Sequence, residues 1–285
     1  MSKSVKKLVE DAKSGKANPL DKNDIVLDVA DRGISDLTQV PAFFSLSNVT
    51  RVILSHNKLG EIPHEICDLR ALESLNLFNN HIEELPTSIS TLSKLRHLNL
   101  GLNRLCTLPK GFGAFACLEV LDLSYNNLSS ESLPGNFFYM ATLRALYLSD
   151  NDFHQIPDDV SKLKSLQVLS LRDNDLTDLP PGVSRLGKLK ELHLQSNHFN
   201  LLPPELSQLD FSDPTRTVFK ANGNPLIPEL QERLTMGVKH LFDFLRSPLY
   251  ARIYQERMGT ELVKFVERDR SARKSRKTLQ KKRVQ

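Results

Sequence analysis

A chain of 285 residues that is 40% hydrophobic and 25% charged, with 12 Gly and 15 Pro, can bury a sizeable core and is too apolar to be disordered throughout. No apolar run approaches the roughly 20 residues that span a bilayer, and Met1–Lys7 lacks the apolar stretch of a secretory leader. These features lead us to expect a cytosolic protein with no stable membrane insertion. The net charge of +4 is unevenly placed: residues 268–285 carry nine Lys/Arg and one Asp, which leaves the other 267 residues at −4. That acidic body argues against nucleic acid as a main ligand.

Taken in chain order, residues 4–13 place Val5, Leu8, Val9 and Ala12 on one helical face, so residues 1–24 are read as an N-terminal cap region. From residue 25 to 224 one pattern, L-x-x-L-x-L-x-x-N-x-L, recurs. It begins as Leu27-x-Val29 with Arg32 at the Asn position, and its first full form is Val49/Val52/Leu54/Asn57/Leu59. Six more follow, on Asn80, Asn103, Asn126, Asn151, Asn174 and Asn197, in steps of 23, 23, 23, 25, 23 and 23. Asn222, after a further step of 25, is read as the last of the series.

The physical content of the pattern is specific. The L-x-L pair is a short strand whose leucines point inward and whose intervening residue points outward. Strands stacked in parallel about 4.8 Å apart then share one continuous core. The Asn amide, with donors and acceptors together, can satisfy buried loop backbone that has no sheet partner. A Pro follows at constant phase, at Pro63, Pro86, Pro109, Pro157, Pro180 and Pro203, and suits a return of one or two turns of helix or 3₁₀ helix. The fold class is therefore α/β: a leucine-rich-repeat solenoid, or horseshoe, with a concave parallel sheet, short convex returns and helical end caps.

The repeat with two extra residues contains Ser130–Met140, an expected bulge on the convex or edge side that offers a second contact surface. Val238, Leu241, Phe242 and Leu245 share one helical face, so residues 225–258 are read as a C-terminal cap that covers the last sheet edge. Residues 259–285 are the basic tail, whose composition predicts disorder.

Nothing in this pattern requires an enzyme. Gly111-Phe-Gly113-Ala-Phe-Ala116 matches a dinucleotide fingerprint only superficially, because it falls on a convex return without the strand-to-helix unit that the fingerprint needs. Ser170 and His193 share an outward strand position in adjacent repeats, but no nucleophile elbow or oxyanion-hole signature accompanies them. Cys67, Cys106 and Cys117 are odd in number and show no ligand spacing, so reduced thiols, no metal and no cofactor are expected.

Function is expected on the concave face, whose side chains are not used for packing. One outward column reads Asp28, Ile53, Asn76, Asn99, Asp122, Tyr147, Ser170 and His193, and beside it lie Phe78 and Arg172. The column next to the Asn series holds Leu102, Tyr125, Asp150 and Asp173. Aromatic anchors ringed by charge suit a protein partner, and Asn76, Phe78, Asn99, Asp122, Tyr125, Tyr147, Arg172 and Asp173 are the candidate partner-binding residues.

Some non-consensus segments carry more information than the repeat. Leu118–Ser129 (LEVLDLSYNNLS), Ser132–Phe153 (SLPGNFFYMATLRALYLSDNDF), Leu169–Leu176 (LSLRDNDL) and Met1–Glu10 resemble the Ras suppressor protein family over roughly residues 1–255. Residues 11–30 and the basic tail depart from that family's pattern. The resemblance implies a monomeric cytoplasmic adaptor at cell-matrix adhesion sites. It also implies that the concave face binds a LIM domain of PINCH, in a complex with integrin-linked kinase and parvin, and that the adaptor modulates Ras signalling. The alternative is a repeat subunit that regulates a Ras-pathway GTPase or phosphatase assembly.

Overall fold

A computed structural model of the chain describes residues 9, 25–38, 41–211 and 213–259. Nine three-residue strands form a single parallel sheet in chain order: β1 (Val26–Asp28), β2 (Arg51–Ile53), β3 (Ser74–Asn76), β4 (His97–Asn99), β5 (Val120–Asp122), β6 (Ala145–Tyr147), β7 (Val168–Ser170), β8 (Glu191–His193) and β9 (Val218–Lys220). The middle residue of each strand points inward. Leu27, Val52, Leu75, Leu98, Leu121, Leu146, Leu169, Leu192 and Phe219 pair in one unbroken register and are all buried. Period 2 then leaves both neighbours of each on the opposite face.

The returns are 3₁₀ turns, among them His64–Asp68, Ile89–Thr91, Asp158–Lys162, Pro181–Arg185 and Pro204–Gln208. Extended prolines (Pro63 at φ −67°, ψ 151°) deliver the chain to them, and the turn closes when the Leu69 N–H bonds back to Ile66 O. A 23-residue repeat leaves too little chain for a longer helix, and the tighter 3₁₀ rise fits short segments. The buried side chains of these turns, such as Ile66, Ile89 and Val160, close the core from the convex side.

The Asn series is a ladder. Asn126 Oδ1 accepts from Leu105 N–H at 3.0 Å, and its Nδ2 donates to Leu100 O and Leu123 O, each at 3.0 Å. Asn57, Asn80, Asn103, Asn151, Asn174 and Asn197 repeat this arrangement, each tying its own turn to the preceding repeat. At the C-terminal end the expectation needs correcting, because the ladder residue is Asn224 and not Asn222. Asn224 Oδ1 accepts from Phe199 N–H and its Nδ2 donates to Leu194 O and Ala221 O, while Asn222 is exposed. The spacing enforced by hydrogen bonding is five residues from the inward strand residue, here Phe219, and not the repeat length.

The extra residues around Ser130–Ser132 form a 3₁₀ turn closed by reciprocal Ser129–Ser132 bonds. They lie on the flank where the chain leaves the strands, with Ser132 Oγ bonded to Cys106 O and Ser130 Oγ to Gln155 O. Behind them Phe137 stacks on Phe112 with ring centroids 6.1 Å apart.

The C-terminal cap is helical, as α1 (Pro228–Met236), α2 (Val238–Leu245) and a helical run over residues 248–259. Phe242 of α2 meets Phe211 and Phe219 at 5.4 and 5.1 Å. Tyr250 is fully buried, donates its hydroxyl to Leu202 O and accepts from Leu202 N–H. Burial raises its phenol pKa far above the ordinary value. At the other end Val9 is helical and buried; the rest of the expected N-terminal cap, and the tail beyond residue 259, lie outside the described residues.

Candidate functional site on the concave face

Strand register aligns the outward side chains into straight columns. The predicted column Asp28, Ile53, Asn76, Asn99, Asp122, Tyr147, Ser170 and His193 is continuous, and Lys220 extends it. A second outward column, at the first position of each strand, was missed. It runs Arg51, Ser74, His97, Val120, Ala145, Val168, Glu191, and period 2 alone would have found it. The two columns together line a shallow cavity of 330 Å³ that includes Ser74, Asn76, His97, Asn99, Val120, Asp122 and Tyr147.

The polar residues of the N-terminal half are partly committed. Asn76, Asn99 and Asp122 each accept, through Oδ1, the backbone N–H two residues on, at Phe78, Gly101 and Ser124 (3.0, 2.9 and 2.9 Å). Each therefore holds the chain where it turns off the sheet through one of its two polar side-chain atoms. Phe78 lies edge-on to His56 with centroids 5.6 Å apart. Gly101 makes room for this group: a Cβ there would sit 3.1 Å from Phe78 Cδ2 and 3.4 Å from Asp122 Oδ2.

The column before the ladder has a backbone signature that the sequence did not reveal. His56, Asn79, Leu102, Tyr125, Asp150, Asp173 and Ser196 all have φ between 51° and 57°. Asn and Asp tolerate this left-handed region, whereas Leu and Tyr do so at a cost of about 1–2 kcal/mol. Leu102 and Tyr125 are also 40% and 44% exposed, so burial returns little of that cost. Leu102→Asn should therefore raise stability by roughly 0.5–1 kcal/mol, read by denaturant titration. A loss of stability would show that Leu102 is a packing residue and not part of an open surface.

In the C-terminal half one guanidinium organises the face. Arg172 Nη2 lies 3.1 Å from the Tyr125 hydroxyl and 3.5 Å from Asp150 Oδ2, and its Nε lies 3.6 Å from Asp173 Oδ2. Arg172 is thus the brace of a cluster with two carboxylates, which leaves the cluster acidic. Burial, and then the charge of Asp173, raise the Asp150 pKa above the ordinary carboxylate value, against the lowering effects of Arg172 and Tyr125. Burial, then Glu191 and Asp122, likewise raise the Tyr147 phenol.

A folded-state carboxyl pKa above the unfolded one means that Asp150 costs no stability in strong acid. Its penalty grows as pH rises from the unfolded pKa to the folded one. Asp150→Asn should therefore be stability-neutral in acid and relatively stabilising at neutral pH, as measured by melting across pH. An advantage confined to acid would contradict this assignment.

Ser170 and His193 are register partners, but Ser170 is buried with its Oγ 2.8 Å from Ser149 Oγ, and His193 Nε2 lies 3.5 Å from Glu191 Oε2. The glycines of Gly111-Phe-Gly113 have structural tasks: Gly111 is left-handed at φ 86°, and Gly113 lies against the Asn136 carbonyl. Among the described residues no group of three or more His, Cys, Asp or Glu side chains is placed to hold a metal, and no helix is long and apolar enough to cross a membrane.

Comparison with known proteins agrees with this geometry. A profile of the leucine-rich repeat region matches residues 25–133 and 114–211. Curated relatives include Ras suppressor protein 1 of Homo sapiens, 52% identical over 79 residues, and that of Bos taurus, 51% identical over 79 residues. These matches cover 28% of this chain and 26% of each relative, a shorter stretch than residues 1–255. The chain thus spans about a quarter of the length of the curated relatives it matches. Among solved structures, a leucine-rich-repeat protein of Leptospira interrogans aligns at 30% identity and TM-score 0.56, covering 70% of this chain and 55% of that one. A TDR receptor aligns at 28% identity and TM-score 0.60, covering 68% and 34%.

Proposed function

The chain belongs to the leucine-rich-repeat family, and we propose that it is a non-enzymatic cytoplasmic adaptor whose concave face binds a LIM domain of PINCH. On this reading the partner carries integrin-linked kinase and parvin with it, and the protein acts at cell-matrix adhesion sites and modulates Ras signalling. The observation that carries the reading is the pair Leu102 and Tyr125, large apolar side chains held exposed on a left-handed backbone. Beside them on the same face are Phe78, Tyr147 and the Arg172–Asp150–Asp173 cluster. Aromatic anchors beside charge are what an interface centre requires. The likeness to Ras suppressor protein 1 supports the choice of partner.

The contact surface we propose comprises Asn76, Phe78, Asn99, Asp122, Tyr125, Tyr147, Arg172 and Asp173. Affinity purification from cells of the wild-type chain and of Asp122→Lys/Tyr147→Ala tests it. The wild type should recover PINCH and the double variant should not. Asp122 spends one oxygen on Ser124 N–H, so the lysine costs about 1 kcal/mol of stability on its own. Asp122→Asn, which keeps that bond, is the stability control and should recover less PINCH than the wild type. Recovery of a GTPase or phosphatase, unaffected by depletion of PINCH, would replace this reading with that of a regulatory subunit.

A further inference from the structure

Beyond the concave face, the two flanks of the solenoid carry opposite charge. Just before each strand a backbone ladder runs from repeat to repeat, with Arg96 N–H to Glu73 O, Glu119 N–H to Arg96 O, Arg144 N–H to Glu119 O and Lys190 N–H to Gln167 O, at 2.7 to 2.8 Å. The ladder proves that these residues stack in a row on the entry flank. Arg96, Arg144 and Lys190 lie on it; Arg70, Lys94, Lys164 and Lys188 lie two or three residues before it, and all seven are exposed.

Among the described residues, Glu73 and Glu119 oppose them at the same positions, and Glu119 is shared between Arg96 and Arg144. A matching ladder after the strands, with Arg104 N–H to Ile82 O, Asp152 N–H to Leu128 O and Asp175 N–H to Phe153 O, defines the exit flank. That flank carries Glu83, Glu84, Glu131, Asp152, Asp175 and Asp178, opposed by Lys58 and Arg104 on the same ladder, and stays net acidic.

We propose that the entry flank is a docking edge for an anionic membrane surface, with the solenoid standing edge-on and its concave face free for a protein partner. The cationic positions span five repeat steps, roughly 24 Å at strand spacing. The two flanks are roughly 20 Å apart, more than twice the ~8 Å screening length at physiological ionic strength, so a plane that touches one flank is not repelled by the other. A nucleic acid that wrapped the solenoid would meet the acidic exit flank and the concave carboxylates. A planar array of anionic lipid headgroups meets the cationic edge without that conflict. The inference is independent of which protein occupies the concave face.

The full-length chain should co-float with vesicles of phosphatidylcholine mixed with phosphatidylserine, should not co-float with phosphatidylcholine alone, and should be released by high salt. Lys94→Gln/Lys164→Gln/Lys188→Gln/Lys190→Gln should weaken that binding by about tenfold or more. Its concave-partner binding should stay unchanged. Because the tail is basic too, the same four changes are repeated in a chain carrying Arg273→Gln/Lys274→Gln/Arg276→Gln/Lys277→Gln, where the flank effect should persist. Equal vesicle binding with and without the flank changes in both backgrounds would overturn the proposal. A flank variant that keeps vesicle binding and loses binding to a single-stranded oligonucleotide would also overturn it.

Discussion

Replacing Asn126 by leucine is expected to lower the melting temperature by roughly 6–12 °C, although the two side chains are similar in size. The change removes the acceptor for Leu105 N–H and the donors to Leu100 O and Leu123 O, all of which are buried. Leucine can replace neither role. The stranded groups together cost about 3 kcal/mol, and a domain of this size loses about 2–4 °C per kcal/mol. The neighbouring Asn127 is exposed and stands outside the ladder, so Asn127→Leu should stay within roughly 2 °C of the wild type. Equal melting temperatures for the two variants would show that the ladder is ornamental.

Gly113→Ala should be at least as damaging, at about 3 kcal/mol or more in a denaturant titration. A methyl group there would lie 1.8 Å from the Asn136 carbonyl oxygen and 2.5 Å from its carbon. Both atoms are backbone, so no rotamer can relieve the contact. The convex returns would have to part just where Phe112 and Phe137 stack. Gly111→Ala provides the comparison. Gly111 is left-handed, but a Cβ there would meet nothing within 4 Å, so only the conformational penalty of about 1 kcal/mol applies. If the two alanines cost the same, close approach is not the reason for Gly113.

These sites show how far sequence carried the account. The inward residues of the strands could be read directly, because burial and period 2 admit only one assignment. The last ladder residue was misplaced at Asn222 because the repeat length was extrapolated across a longer return. Counting five residues from Phe219 reaches Asn224, since hydrogen bonding fixes that local spacing and not the length of the loop.

Tyr250 gave no signal, because the backbone it clamps is 48 residues away, at Leu202. The concave columns were visible, but the tasks of their members were not. Nothing in the residue type of Arg172 tells that it braces Tyr125, Asp150 and Asp173. The left-handed column was hidden for a related reason: Leu102 and Tyr125 are poor residues for that backbone, and only the register of the neighbouring turns imposes it.

The measurement that bears most directly on the concave face as the binding surface is a calorimetric titration of the PINCH LIM domain into the full-length chain. It would be repeated with Asp122→Asn and with Asp122→Lys/Tyr147→Ala. Binding to the wild type should be saturable, binding to the asparagine variant should be weaker, and the double variant, whose fold is verified by its melting transition, should give no measurable heat. Wild-type affinity in a folded double variant would contradict this and move the partner off the concave face.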